Sequence, residues 1–544
     1  MDWTRHLLIV PILLPLITGA ALLLIDELRH TLKALLSIAS GVLLLVTAIV
    51  LMRLADGVAD GGGALSSSYA LANWPAPFAI VLVLDRLSAL MLALASTLAL
   101  AALVFSTARW HRAGPHFHTL FQFMLMGLGG AFLTGDLFNL FVFFEVTLAA
   151  SYGLLLHGSG AFRVRAGLHY IAINLAASLL FLIGVSLIYG TAGTLNMADL
   201  AVRLPGVPAE DRALLHAGVA ILGIAFLVKA GMWPLCFWLP SAYMAAAAPV
   251  AAIFVVLTKV GTYVLLRLSL LLFAPEAQGA AGFGGTVLLW GGMATILFAT
   301  SGVLSSQSLG RLAGFSVLIS AGTLLAAVGI GNTAVVSGAL FYLVSSSLSV
   351  AAFFLLIELV ERSREPAADV LSVTMEAYGD ETDESEEHED QEVGVTVPGA
   401  LAILSVSFGC VALLLAGLPP LSGFIAKFAM LTGMLNPDGL GSIAEIPGSI
   451  WLLVALVILS GLATLVAMMR SGVRIFWTPL EELVPRVVMV EVAPIVALLA
   501  LCAVLTVWGG PMLSYTEAAA RSLHAPSTYI QSVLGTGHLP GGAR

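Results

Sequence analysis

The sequence predicts an all-α protein that crosses a membrane many times. Apolar residues make up 59% of the 544 and charged residues only 10%, with a mean hydropathy of +1.02; ordinary soluble domains carry about 25% charged residues. The apolar residues fall in continuous runs of about 20, the length a spanning α-helix needs, and not in the short alternating segments of a membrane barrel. The charges gather between these runs.

Taken in order, the runs lie at about 7–25, 32–52, 78–106, 117–135, 137–157, 167–190, 214–239, 244–272, 284–303, 311–330, 333–360, 397–435, 450–470 and 488–508, fourteen in all. The first is longer than a signal-peptide core and thinly flanked by charge, so it reads as a retained helix. Between the sixth and seventh, 194–204 reads as a short interfacial helix. Gly127-Leu-Gly-Gly130 in the fourth follows no strand, which favours helix packing over a phosphate cradle. The seventh and twelfth share a GxxPL pattern, Gly231-Met-Trp-Pro-Leu235 and Gly417-Leu-Pro-Pro-Leu421. Proline lacks the amide donor and clashes with the preceding turn, so Pro234, Pro419 and Pro420 should break their helices. Paired broken helices in two halves of a membrane protein point to a transport site.

Several classes are excluded. Three cysteines far apart, with no CxxC spacing, argue against a disulfide framework or a zinc site. His157, His216 and the His111–His118 cluster read as loop or interface residues without metal-site spacing. No cofactor motif and no nucleophile–base pair is apparent, so an enzyme in its own right is disfavoured. The net charge of −9 comes from one stretch, 376–392, with ten acids and no Lys or Arg. That stretch reads as a solvated loop, and nothing resembles a basic face for nucleic acid. Twelve Lys and Arg fall in one set of alternating loops and eight in the other. The positive-inside rule then places the acidic loop in the cytoplasm and both termini outside.

Apart from charges in loops or at span ends, four ionisable residues lie inside the apolar runs: Glu145, Lys229, Lys259 and Lys427. Each costs roughly 2.5–3.5 kcal/mol at mid-bilayer. Three of the four lysines in the chain are among them, against none of the nineteen arginines. A structural cation would often be arginine, which stays charged and clamps a partner with two hydrogen bonds. Lysine in a low-dielectric site can instead release and regain a proton near neutral pH. Three lysines against one glutamate exceed what buried ion pairs would need, so the pattern favours a proton relay.

These residues sit in GDLFNLFVFFEVTLAASYGLLLHG (135–158), VKAGMWPLCFWLPSAYMAAAAPVAAIFVVLTKVGTYVLLRL (228–268) and GLPPLSGFIAKF (417–428). The three motifs resemble the antiporter-like subunits shared by Mrp cation/proton antiporters and respiratory complex I. FEVTLAASYGLLL and LGRLAGFSVLISAGTLLAAVG (309–329) are most similar to the D subunits of the Mrp (Pha) type. That resemblance implies about fourteen helices, two inverted five-helix repeats and broken seventh and twelfth helices. The divisions would be 1–106, 107–275, 276–475 (with the acidic loop at 361–396) and 476–544. Glu145 resembles the fifth-helix glutamate, Lys229 the lysine before the seventh-helix break, Lys259 the eighth-helix lysine and Lys427 the lysine after the twelfth-helix break. His169 stands where relatives often have lysine. Tyr342, Ser346 and Val350 replace the His and Lys that complex I relatives carry along the eleventh helix. Ser345, Ser346 and Ser347 are hydroxyls that could hold water on that leg.

The function expected from this resemblance is that of a proton-translocating subunit in a multi-subunit Na⁺ or K⁺/proton antiporter of a bacterial cytoplasmic membrane. Its partners would be other antiporter subunits, protons, a monovalent cation and lipid. The alternative is a proton-pumping subunit of complex I or of a membrane-bound hydrogenase.

Overall fold

The computed structural model describes residues 6–57, 67–71, 74, 76–77, 80–273, 282–362, 399–437, 439, 445–476 and 488–535; the acidic stretch at 376–392 lies outside them. Nineteen α-helices and one two-stranded sheet form the described part. First come α1 (Val10–Leu24), α2 (His30–Ala55) and the antiparallel strands β1 (Ser67–Ala70) and β2 (Val81–Leu84). The third apolar run, expected to be helical from 78, is therefore strand over Val81–Leu84. Its valines favour an extended chain, all four β2 residues are buried, and Asp85 starts the next helix by capping it, with Ser88 completing a capping box.

Next are α3 (Arg86–Ser106), α4 (Phe117–Leu133), α5 (Leu137–Leu156) and α6 (Ala161–Ala192). The short α7 (Met197–Arg203) falls where an interfacial helix is expected, and α8 (Arg212–Ala230), α9 (Leu239–Ala245) and α10 (Ala248–Leu272) follow it. Then come α11 (Gly285–Ser305), α12 (Leu309–Ile330), α13 (Thr333–Arg362), α14 (Gly399–Ala416) and α15 (Ser422–Leu435). The chain closes with α16 (Gly448–Phe476), α17 (Met489–Val507), α18 (Gly509–His524) and α19 (Ser527–Leu534). Twelve helices among the described residues are long and apolar enough to span a membrane. Of the fourteen predicted runs, the fourth is the shorter α4 and the twelfth is divided into α14 and α15.

The seventh run also breaks, at Ala230. Both breaks begin with a glycine in the left-handed region, Gly231 at φ +76° and Gly417 at φ +75°, where a β-carbon would crowd the carbonyl. The prolines two or three positions later then deny the helix an amide donor. The GxxPL pattern is thus a stop followed by a barrier to restarting.

Packing buries some helices throughout and leaves large apolar side chains of others facing outward. α10, α12 and α13 are buried along nearly their whole length, whereas α1, α6 and α17 turn Ile17, Leu179 and Val496 outward. Small residues let backbones approach: Gly292 meets Gly322 between α11 and α12, and Gly127 and Gly130 seat Thr147 and Phe143 of α5 against α4. The glycines of 127–130 therefore serve packing.

Ion pairs fasten both ends of the bundle. At the C-terminal end of α10, Arg267 holds Asp85 through two contacts of 2.8 and 2.9 Å, and its guanidinium lies 5.3 Å from the Tyr529 ring of α19. α18 closes over the same end, with Tyr515 donating to the Arg86 carbonyl at 2.9 Å. At the opposite end, Arg362 grips Glu491 of α17 at 2.6 and 2.8 Å, and Trp110 donates to Glu358 at 2.6 Å.

Candidate functional site

Lys229 occupies the last turn of α8, just before Gly231 stops the helix. Its ammonium stands 5.0 Å from the centre of the Phe144 ring, within cation–π range. Among the described residues it has no hydrogen-bond partner although it is buried. It faces a cavity of about 20 Å³ lined by Thr147, Tyr170, Asn174, Trp238 and Tyr243, a space that suits a single water. Glu145 follows Phe144 on α5, and its carboxylate accepts a hydrogen bond from Ser178 of α6. Glu145 and Lys229 are thus neighbours held by different groups, without a direct ion pair among the described residues.

The same cavity is bounded by Leu257 and Val260, which flank Lys259 on α10. Tyr243 also lines a recess of about 800 Å³, together with Arg109, Arg163, Glu358 and Arg362.

Lys259 is only 1% exposed, and its ammonium donates to Ser320 Oγ of α12 at 2.6 Å. Ser320 Oγ lies 2.9 Å from Ser346 Oγ of α13. The adjacent Ser345 Oγ lies 2.8 Å from Ser422 Oγ, the first residue of α15. Ser320, Ser345 and Ser346 line a cavity of about 10 Å³ that also touches Tyr342, Thr464 and Leu415. Lys427, one turn further along α15, donates to the carbonyls of Ala416 at 2.9 Å and Leu415 at 3.3 Å. It thereby caps the broken end of α14, whose last carbonyls lack helical partners.

Polar contacts join Lys259 to Ser320 and Ser346; Lys229 has no hydrogen-bond partner among the described residues, and Lys427 bonds the end of α14. Ser345 pairs with Ser422 beside that chain, and Ser346 belongs to it. Ser347 does not, because it donates to the Leu343 carbonyl of its own helix at 2.6 Å. His169 does not either: it is exposed on α6, its Nδ1 2.9 Å from the Arg165 carbonyl, and the next residue, Tyr170, turns inward to Ser151 at 2.8 Å. Pro234, Pro419 and Pro420 mark the two breaks. Ser178, Ser320, Ser422 and Tyr243 carry contacts that sequence reasoning did not single out. Ser316 and Ser320, one turn apart on a mostly apolar helix, were the available signal for the second of these.

A family model described as NADH:quinone oxidoreductase/Mrp antiporter, transmembrane, matches residues 134–444, more than half of the chain. The chain belongs to this family. Over 98% of both chains it is 60% identical to the D subunit of a probable K(+)/H(+) antiporter of Rhizobium meliloti. It is 34% identical to the D subunit of a Na(+)/H(+) antiporter of Alkalihalophilus pseudofirmus, covering 97% of this chain and 99% of the relative. Among solved structures, a chain of the Mrp complex from a Dietzia species superposes with a TM-score of 0.80 at 26% identity, covering 98% of this chain and 100% of that one. Within the NADH:quinone oxidoreductase/Mrp antiporter family, the matched segment contains Glu145, Lys229, Lys259 and Lys427, together with both helix breaks.

Proposed function

We propose that this chain is the proton-translocating subunit of a multi-subunit monovalent cation/proton antiporter, exchanging K⁺ or Na⁺ for protons across a bacterial cytoplasmic membrane. Protons enter from the recess beyond Tyr243, load Lys229 under the influence of Glu145, and pass along Lys259 to Lys427. The acidic loop and the recess face the cytoplasm, and both termini face outward. The observation that carries this reading is the placement of Lys259. A buried ammonium that only fixed helices would be expected to meet a carboxylate; this one meets a serine hydroxyl that leads on toward the next lysine. The names of the 60% and 34% identical relatives support the antiporter assignment.

Lys259→Arg tests the reading in the whole complex, reconstituted in vesicles and driven by a K⁺ or Na⁺ gradient. Arginine keeps the charge and the donor, but its guanidinium does not release a proton on the working timescale. The expected result is an assembled complex without exchange. Near-normal exchange would show that the proton does not pass through position 259.

A further inference from the structure

Among the described residues, the contacts from Lys259 toward Lys427 hold no Asp, Glu, His or further Lys, yet this is the leg on which the second half of the relay depends. We infer that the hydroxyls of Ser320 and Ser346 form the proton wire of that leg, with one water in the adjoining cavity as its last carrier. This inference rests on the relay proposed above and assigns the groups that operate it.

From Lys259 to Ser346 the geometry is that of a donor–acceptor chain. Lys259 Nζ to Ser320 Oγ is 2.6 Å and Ser320 Oγ to Ser346 Oγ is 2.9 Å, both normal hydrogen-bond lengths. Most buried serines on these helices donate back to a carbonyl of their own helix, as Ser316 does to Leu312 at 2.9 Å and Ser349 to Ser345 at 2.9 Å. Ser320 is instead engaged with side chains on two other helices. Ser346 has a second acceptor, the Leu343 carbonyl at 3.3 Å, toward which its hydroxyl can turn. The cavity of about 10 Å³ beside both serines meets the lower size limit for one water. Leu415, whose carbonyl accepts from Lys427, also lines it.

Transfer through this chain balances without any ionised serine persisting. The Lys259 ammonium gives one proton to Ser320 Oγ while the original Ser320 hydroxyl proton moves to Ser346 Oγ. The Ser346 proton moves to the cavity water, and a proton of that water passes to neutral Lys427. Lys259 ends neutral, Lys427 ends charged, and each oxygen ends with the number of hydrogens it began with. Both hydroxyls then turn back before the next passage. For Ser346 the Leu343 carbonyl offers a resting partner during that turn.

The test uses the assembled antiporter in vesicles and compares Ser320→Ala, Ser346→Ala and Ser320→Thr with Lys259→Ala. Loss of a group positioned for proton transfer commonly costs about 10²-fold or more. Each alanine variant should therefore lose most of its exchange while the complex still assembles, and Ser320→Thr, which keeps a hydroxyl, should regain most of it. If both serine-to-alanine variants exchange at near wild-type rates while Lys259→Ala is inactive, the relay stands and the hydroxyl wire is overturned. If Lys259→Ala also exchanges normally, the relay itself fails and the wire with it. If Ser320→Ala and Ser320→Thr are equally inactive while Ser346→Ala is active, Ser320 acts through packing and the wire is overturned.

Discussion

Gly417 lies directly against the Lys427 side chain: a β-carbon at this position would stand 2.5 Å from Lys427 Cδ and 2.9 Å from its Nζ. The residue that stops α14 therefore also makes room for the lysine that caps it. Gly417→Ala should strain the left-handed backbone by about 1–2 kcal/mol and push Nζ away from the Ala416 carbonyl. The expected outcome is a lower unfolding temperature together with loss of exchange. Gly409, also in α14, has open space where a β-carbon would go, so Gly409→Ala should be neutral or stabilising by about 0.5–1 kcal/mol. Thermal unfolding and flux measured on both variants check the contrast.

Much of this site was legible because membrane burial makes charge conspicuous. Lys229, Lys259 and Lys427 stand out as the charges that apolar runs should not contain, and the two GxxPL patterns locate the breaks. Ser320 was not legible in the same way. A serine in an apolar helix looks the same whether it bonds its own backbone or a lysine on another helix, and only the packing of α10 against α12 decides. His169 and Tyr170 show a related limit. Adjacent helical residues point about 100° apart, and local sequence did not reveal which of the two faces the core. The strand at Val81–Leu84 was hidden because a short apolar run has no periodicity that separates buried strand from buried helix.

Asp85 performs two structural tasks, capping α3 through the Ser88 amide at 2.8 Å and pairing with buried Arg267. Removing one partner of a buried ion pair costs about 3–5 kcal/mol because the other charge is left uncompensated. Asp85→Ala should therefore lower the unfolding temperature sharply and loosen α19, whose Tyr529 ring rests on the same guanidinium. Combining it with Arg267→Met should recover much of that stability, since no unpaired charge remains. A thermal-unfolding cycle over the two single variants and the double variant reads the coupling directly.

His157, just beyond the last residue of α5, gives the opposite end of the bundle a pH dependence. Burial pushes its pKa below the ordinary 6.5 and the Arg163 charge adds to that, against the hydrogen bond to the Trp110 carbonyl, which favours the charged ring. A histidine that is harder to protonate when folded stabilises fully above its unfolded pKa. The contribution is lost as pH falls from 6.5 toward the lower folded value, because the unfolded chain then binds more protons. Thermal stability should decline on acidification through that window, and His157→Gln should flatten the decline. Melting curves recorded at stepped pH on both proteins provide the measurement.

Glu145 offers the clearest separation of structure from transport. Its carboxylate is held by Ser178, and Lys229 faces the Phe144 ring and a small cavity, with no ion pair among the described residues. If the two residues formed a structural pair, Glu145→Gln would strand a buried ammonium and cost about 3–5 kcal/mol. In the geometry seen here, the glutamine oxygen can still accept from Ser178, so stability should change by less than about 0.5 kcal/mol, as for a substitution that breaks no buried contact. The negative charge that favours a proton on Lys229 is nevertheless gone. Exchange at neutral pH should therefore fall about tenfold, equivalent to ~1.4 kcal/mol, in a complex whose melting temperature is unchanged. A fall in melting temperature that matches the loss of flux would instead make Glu145 a helix tie. Unchanged flux would remove it from the relay.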